Sequence, residues 1–202
     1  MTDELKFGDP GPDTVHLCID MQRLFAEETE WHTPWIERVL PQIQQIAAMR
    51  PERTVFTRFM PPASVAEAPG TWARYYQRWQ AFTLSHLQHD LVGLVPELAA
   101  FVPPAIVFDK HVYSPWSDGE LHRLLRGRNV DTLIITGAET DVCVLGAVLG
   151  AVDLGYRVII PEDAICSSSD ETHDALMMLY RSRFSQQIEV ISTSKLLRAW
   201  TD

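Results

Sequence analysis

Cysteine is scarce in this 202-residue chain, with Cys18, Cys143 and Cys166 the only three. An odd count without C-x-x-C spacing excludes a disulfide framework and a zinc ribbon, so at least one thiol is free or pairs between chains. Basic residues are also few, 17 Lys and Arg against 27 acidic residues, for a formal net charge of -10. Nucleic-acid binding needs clustered cations that displace counterions, so no nucleic-acid partner is expected. No apolar run approaches the roughly 20 residues that span a bilayer, which argues against a membrane partner. The start, Met1-Thr-Asp-Glu-Leu-Lys6, lacks the cationic-then-apolar order of a secretory signal, and we expect a cytoplasmic location. Internal repeats and low-complexity tracts are absent too.

What the chain does have is a hydrophobic fraction of 46%, enough to bury one good core, and we read residues 1–202 as a single domain. Thr14-Val-His-Leu-Cys-Ile-Asp20 has the continuous apolar character of a strand buried on both faces, and it ends in a carboxylate. Further strands are predicted at 53–59, at 105–110, where the run ends in a lysine, and at 131–136, 156–160 and 188–191. Helical patterns fill the intervals. The first starts near Thr33 and Pro34, with a break expected near residue 40 because of Pro41. Another is introduced by Ser117-Asp-Gly-Glu120, which matches a capping box, and is stopped by Gly127. Others follow at 144–154, 170–183 and 194–200. Strand alternating with helix implies an α/β fold, a doubly wound, six-stranded, mostly parallel sheet with helices on both faces. Residues 63–104 are longer than a simple connection needs. Within them Trp72, Tyr75, Tyr76 and Trp79 fall on one helical face, suited to a core, a subunit interface or the cover of a site.

In such sheets ligands bind beyond the carboxyl ends of the strands. Asp20, Lys110 and Cys143 each lie at or just after such an end, which brings three ionisable residue types to one rim. Cys143 sits where a strand turns into the helix Val144-Leu-Gly-Ala-Val-Leu-Gly-Ala-Val152, and unpaired helix N–H groups there should lower its pKa. A thiolate attacks a carbonyl carbon but needs a base and then an acid, and Asp20 suits both turns. Lys110 would hold that carboxylate and offset developing charge. The backbone N–H groups of Glu139 and Cys143 are candidate donors to the oxyanion. His111 is the one histidine near this rim, and a structural role is expected for it. Phe59, Tyr113 and Trp116 are candidate pocket walls. Arg58 could bind a substrate carboxylate or form an ion pair with an acidic residue of the chain. Cys18 reads as core and Cys166 as a bystander, while Gly146 and Gly150 suit close packing of their helix on the sheet.

These residues resemble the isochorismatase-like cysteine hydrolases, a family that includes nicotinamidases, N-carbamoylsarcosine amidohydrolases and biuret hydrolases. The resemblance rests on Cys-Ile-Asp-Met-Gln at 18–22, Asp-Lys-x-x-Tyr-Ser from 109 and Gly-x-x-Thr-Asp-x-Cys-Val from 137. It continues through Ala-Val-Asp-Leu-Gly-Tyr-Arg-Val at 151–158 and Glu-Asp-Ala at 162–164. It implies an Asp20–Lys110–Cys143 triad, a cis peptide at Ala138–Glu139 and a homo-oligomer, dimeric or tetrameric. Nicotinamidase-like members carry Asp-x-His after the second strand to bind a metal, whereas this chain has Thr57-Arg-Phe-Met-Pro-Pro62. The reading is therefore a hydrolase of a small-molecule amide, carbamoyl or ureido bond that acts through a thioester, with no cofactor and no catalytic metal. An enol-ether hydrolase and a non-catalytic binding protein on the same fold are the alternatives.

Overall fold

A computed structural model describes residues 5–201. Its strands are β1 (Thr14–Ile19), β2 (Thr54–Phe59), β3 (Ile106–Lys110), β4 (Thr132–Ala138), β5 (Arg157–Pro161), β6 (Ile165–Cys166) and β7 (Ile188–Ile191). The α-helices are α1 (Arg23–Ala26), α2 (Ile36–Met49), α3 (Thr71–Arg78), α4 (Pro96–Ala99), α5 (Glu120–Gly127), α6 (Cys143–Asp153), α7 (Asp170–Ser182) and α8 (Thr193–Ala199). The strands pair in parallel in the order β3-β2-β1-β4-β5-β7, with β6 paired to β4. The chain winds outward from β1 through β2 to β3, returns to β4, and winds the other way. The order therefore reverses between β1 and β4, where a doubly wound sheet opens its crevice.

Strand residues alternate between two cores. Cys18, Phe56, Ile134 and Ile159 pack with Ile43 and Ile46 of α2 and Leu196 of α8. Leu17, Val55, Leu133 and Val158 pack on the opposite face with Leu121 of α5, Val144 and Ala147 of α6 and Tyr180 of α7. Helices thus cover both sides of the sheet.

The seven strands exceed the expected six by β6, a two-residue strand too short to show periodicity in the sequence. Three local expectations are also corrected. Helix α2 runs without interruption through Pro41. A mid-helix proline costs roughly 3 kcal/mol, but buried Ile36, Val39, Ile43 and Ile46 contribute roughly 1.5–3 kcal/mol each, which outweighs it. That helix begins at Ile36, with Trp35 rather than Thr33 at its cap position. No capping box forms at α5 either: Gly119 occupies the cap position with a φ of 74°, and Asp118 accepts the Glu120 N–H at 2.9 Å.

One glycine holds the switch point together. A Cβ at Gly137 would lie 2.1 Å from the Ile19 carbonyl oxygen, and its φ is 108°, so no side chain fits where β4 lies against β1. Beside it, His16 is fully buried between Thr136 Oγ1 at 2.8 Å and Thr54 Oγ1 at 3.4 Å. Burial lowers its pKa to about 3. The unfolded chain takes up this proton first as pH falls, so the stability held by neutral His16 is intact above about 6.5 and is lost between there and about pH 3. Denaturant titrations at several pH values should show this group costing up to roughly 1.4 kcal/mol per pH unit in that window, and His16→Gln should remove that part of the slope. An unchanged slope in the variant would show that other groups carry it.

Candidate active site

Asp20 follows β1 directly and has a φ of 49°, a left-handed conformation that aspartate tolerates better than most residues. Thr57 on the adjacent strand fixes it twice, accepting the Asp20 N–H at 3.1 Å and donating to Oδ1 at 2.6 Å. The other carboxylate oxygen, Oδ2, meets the Lys110 ammonium at 2.6 Å, and both side chains are almost completely buried. Lys110 ends β3, which β2 separates from β1, so it must reach across two strand spacings of roughly 4.8 Å each. It does so over the Phe59 ring, with Nζ 5.1 Å from the centroid. The same nitrogen donates to the Val112 carbonyl at 3.1 Å and lies 3.4 Å from Cys143 Sγ. One ammonium thus touches the carboxylate and the thiol together.

Cys143 opens α6 after the turn Glu139-Thr-Asp-Val142. The Ala138–Glu139 peptide is cis. Val142 and Val144 both donate to the Glu139 carbonyl, whereas the amides of Glu139 and Cys143 have no hydrogen-bond partner among the described residues. The turn is anchored from outside: Asp141 accepts Ser167 Oγ at 2.5 Å and Thr172 Oγ1 at 2.6 Å, and Thr140 Oγ1 pairs with His173 Nδ1 at 2.8 Å.

Burial works against the Lys110 ammonium, but the Asp20 carboxylate and the Cys143 sulfur outweigh it, so its pKa lies above the usual lysine value. The Cys143 thiol is pushed far up by burial; Lys110 pulls it down and Asp20 adds to the rise. This corrects the expectation of a lowered thiol pKa. A helix N-terminus is worth roughly 0.3–1 kcal/mol to an anion, less than the several kcal/mol that burying a charge costs. Burial and Asp20 thus favour the protonated thiol, against the pull of Lys110.

A cavity of about 270 Å³ opens above Cys143, and its walls include Phe25, Trp31, Phe59, Tyr75, Tyr113 and Glu139. Of the predicted walls, Phe59 and Tyr113 line it and Trp116 does not, and Arg58, the candidate ligand for a substrate carboxylate, is not in its lining either. The Trp116 indole seats on α6, where a Cβ at Gly150 would come within 2.2 Å of it, and Nε1 donates to the Ala147 carbonyl at 2.9 Å. Gly150 therefore admits a tryptophan, and Gly146 likewise faces Ser114, so these glycines pack against the 113–116 loop rather than the sheet. Arg58 is held in a bidentate pair with Asp109 at 2.7 and 2.8 Å. His111 is exposed and pairs with the Met60 carbonyl at 3.1 Å.

Several residues of the site were not foreseen. Thr57 had one signal, a hydroxyl in an otherwise apolar strand. Gln22 accepts from Phe59 N at 2.7 Å and donates to Phe59 O and Val92 O, tying the Asp20 loop to β2 and the insertion. Phe25 lies in the single turn of α1 and Trp31 in the loop after it, both too short to show periodicity. The end of β2 and the residue after it offer Arg58, Phe59 and Met60, and among the described residues no three His, Cys, Asp or Glu side chains are grouped to hold a metal ion. The donor set therefore does not fit the metal of the nicotinamidase-like branch.

Fold and site together are a doubly wound α/β sheet with an aspartate, a lysine and a cysteine converging at its switch point. The chain belongs to the isochorismatase family of hydrolases: the isochorismatase domain model matches residues 14–193. Isochorismatase family protein 1A of Dictyostelium discoideum is 38% identical over 80 residues, which is 39% of this chain and only 38% of that protein. Among solved structures, a cysteine hydrolase from Pseudomonas syringae pv. phaseolicola superposes with a TM-score of 0.78 at 22% identity, covering 95% of each chain. N-carbamoylsarcosine amidase from Thermoplasma acidophilum gives a TM-score of 0.70 at 19% identity, covering 89% of this chain and 96% of that one. At these identities the structural likeness establishes the fold alone.

The charge arrangement has a measurable consequence. Replacing Asp20 by Asn removes an anion that adds to the burial-driven rise of the thiol pKa, while Lys110 stays in place. Iodoacetamide should therefore alkylate Cys143 faster at neutral pH in folded Asp20→Asn than in the unaltered protein, with the rate rise moved to lower pH. Slower alkylation across the whole pH range would contradict this assignment of charges.

Proposed function

We propose that this protein hydrolyses a C–N bond of a small amide, carbamoyl or ureido compound through a thioester on Cys143. The observation that carries the reading is the Lys110 ammonium, 2.6 Å from the Asp20 carboxylate and 3.4 Å from the Sγ of Cys143, which lines the cavity. The cavity, about 270 Å³, is of a size that takes a small molecule.

In this reading Asp20 takes the thiol proton as Sγ attacks the carbonyl carbon. A resting thiol suits that step, because the proton moves only when a substrate is in place. The tetrahedral oxyanion accepts the free N–H groups of Glu139 and Cys143, a contribution of roughly 3 kcal/mol per donor in comparable sites. Protonated Asp20 then gives its proton to the departing nitrogen, leaving the thioester and a carboxylate. A water entering from the cavity loses a proton to Asp20 and adds to the thioester; collapse of that second intermediate expels the sulfur, which takes the proton back. The product is an acid or carbamate, and the triad returns to its starting protonation. Lys110 keeps its charge throughout, holding Asp20 in place and offsetting negative charge as it passes between oxygen and sulfur. An enol ether needs no thiol for its hydrolysis, so a thiol backed by a base and an ammonium favours acyl transfer.

Ammonia or amine release from a panel of small amides, carbamoyl compounds and ureas tests the reading. Release should vanish in Cys143→Ala and fall roughly 100- to 10,000-fold in Asp20→Asn. Release that survives in Cys143→Ala would exclude this thiol as the nucleophile. Thr57→Val should keep the fold yet lower kcat more than it raises KM, because the carboxylate loses its fixed orientation.

A further inference from the structure

The cavity above Cys143 has a chemical bias that amide hydrolysis as such does not require. Phe25, Trp31, Phe59, Tyr75 and Tyr113 make its walls aromatic. Trp31 is their hub: it stacks on Phe82 at 4.0 Å between centroids with planes 15° apart, lies 6.1 Å from Phe25 at 11°, and meets Tyr75 at 6.0 Å. These rings are positioned against one another, so the box does not need a ligand to assemble it.

The charge in this box has one sign. Its lining includes the acidic side chains Glu30 and Glu139, the imidazole of His32, and no lysine or arginine. Glu139 is fixed, its Oε1 accepting Ser168 N–H at 2.9 Å and the Thr33 hydroxyl at 3.3 Å. Its second oxygen has no partner among the described residues. The cations nearby are committed or lie elsewhere. Lys110 is neutralised by Asp20, Arg58 by Asp109, and Arg74 and Arg78 line an outer shelf beyond Tyr75 and Tyr113. Within the cavity lining, an anionic substrate would meet Glu139 without a lysine or arginine to offset it. A positive group would meet aromatic side chains and a carboxylate, the two partners used by sites that recognise quaternary ammonium groups.

We propose that the substrate carries a cationic apolar group, of the quaternary or tertiary ammonium class, next to its reacting carbonyl, and that the aromatic box with Glu139 and Glu30 selects it. This inference rests on the hydrolase reading above and adds the chemistry of the part that does not react. It assigns Trp31 and Tyr75 as specificity-determining residues.

Calorimetric titration of Cys143→Ser, which removes the proposed nucleophile, with three probes of similar size tests the selectivity. Betaine amide carries a trimethylammonium group, tert-butylacetamide is its neutral isostere, and malonamate carries a carboxylate instead. Betaine amide should bind roughly fivefold or more tightly than the neutral isostere, the size of a modest cation–π contribution, with malonamate weakest. Tyr75→Leu and Glu30→Gln should each lower the ratio of betaine amide affinity to tert-butylacetamide affinity. Failure of betaine amide to bind, or equal or tighter binding of either competitor, would overturn the proposal. Ammonia release from the same compounds by the unaltered protein separates the two readings. Cation-selective binding without release from any amide would remove the hydrolase reading alone, and release confined to neutral or anionic amides would remove the selectivity alone.

Discussion

The buried ion pair between Asp20 and Lys110 is the constraint on which the site depends. Each partner is almost completely buried, and neither would be tolerated there without the other: an unpaired buried charge costs several kcal/mol, and breaking such a pair typically costs roughly 3–5 kcal/mol. Pairing makes the rim of the sheet electrically neutral and lets two charged groups lie against Cys143 without ionising it. The pair is thus weak evidence for stability and strong evidence for a use. It keeps an acid–base group and a cation within reach of a thiol in a place that excludes most water.

The rest of the fold can be understood as support for that pair. Reversal of the sheet order between β1 and β4 puts Asp20 and the Cys143 turn on neighbouring strands. Gly137 lets those strands approach, because any side chain there would strike the Ile19 carbonyl. Lys110 comes from an edge strand two places away, and only a long, unbranched side chain spans that distance. Phe59, crossed by the lysine, also walls the cavity. Thr57, one turn of the pleat earlier, orients the carboxylate. Two β2 residues on the same face therefore govern both the reactive groups and the space above them, while Arg58 between them faces the other way and pairs with Asp109.

Much of this was legible in the sequence, for identifiable physical reasons. Buried parallel strands read as continuous apolar runs, so β1 through β5 and β7 stood out, and a charged residue closing such a run was visible as Asp20 and Lys110. β6 was not, since two residues carry no period. Pro41 misled because helix propensity is a local quantity, whereas α2 is held by an apolar face packed on the sheet. Trp116 looked like a pocket residue by its nearness to Lys110, and Gly150 draws it onto α6; of the two readings of Arg58, the ion pair is the one seen, because the pleat turns it toward Asp109. The thiol pKa was misjudged because a helix terminus can be recognised in a sequence and burial at a junction of elements cannot. Trp31 escaped notice for a related reason. Its neighbours Phe82 and Tyr75 lie far along the chain in the 63–104 insertion, so the aromatic box exists only once that insertion folds back over the loop after β1.

The central claim is that Cys143 becomes acylated and that water then competes for one common intermediate. Partitioning with hydroxylamine tests it most directly, using amides that share an acyl group and differ in the departing amine. A common thioester predicts hydroxamate and acid in one ratio for every member of the series, whatever the leaving group. A ratio that changes with the departing amine would mean direct attack on the amide and would contradict a thioester on Cys143.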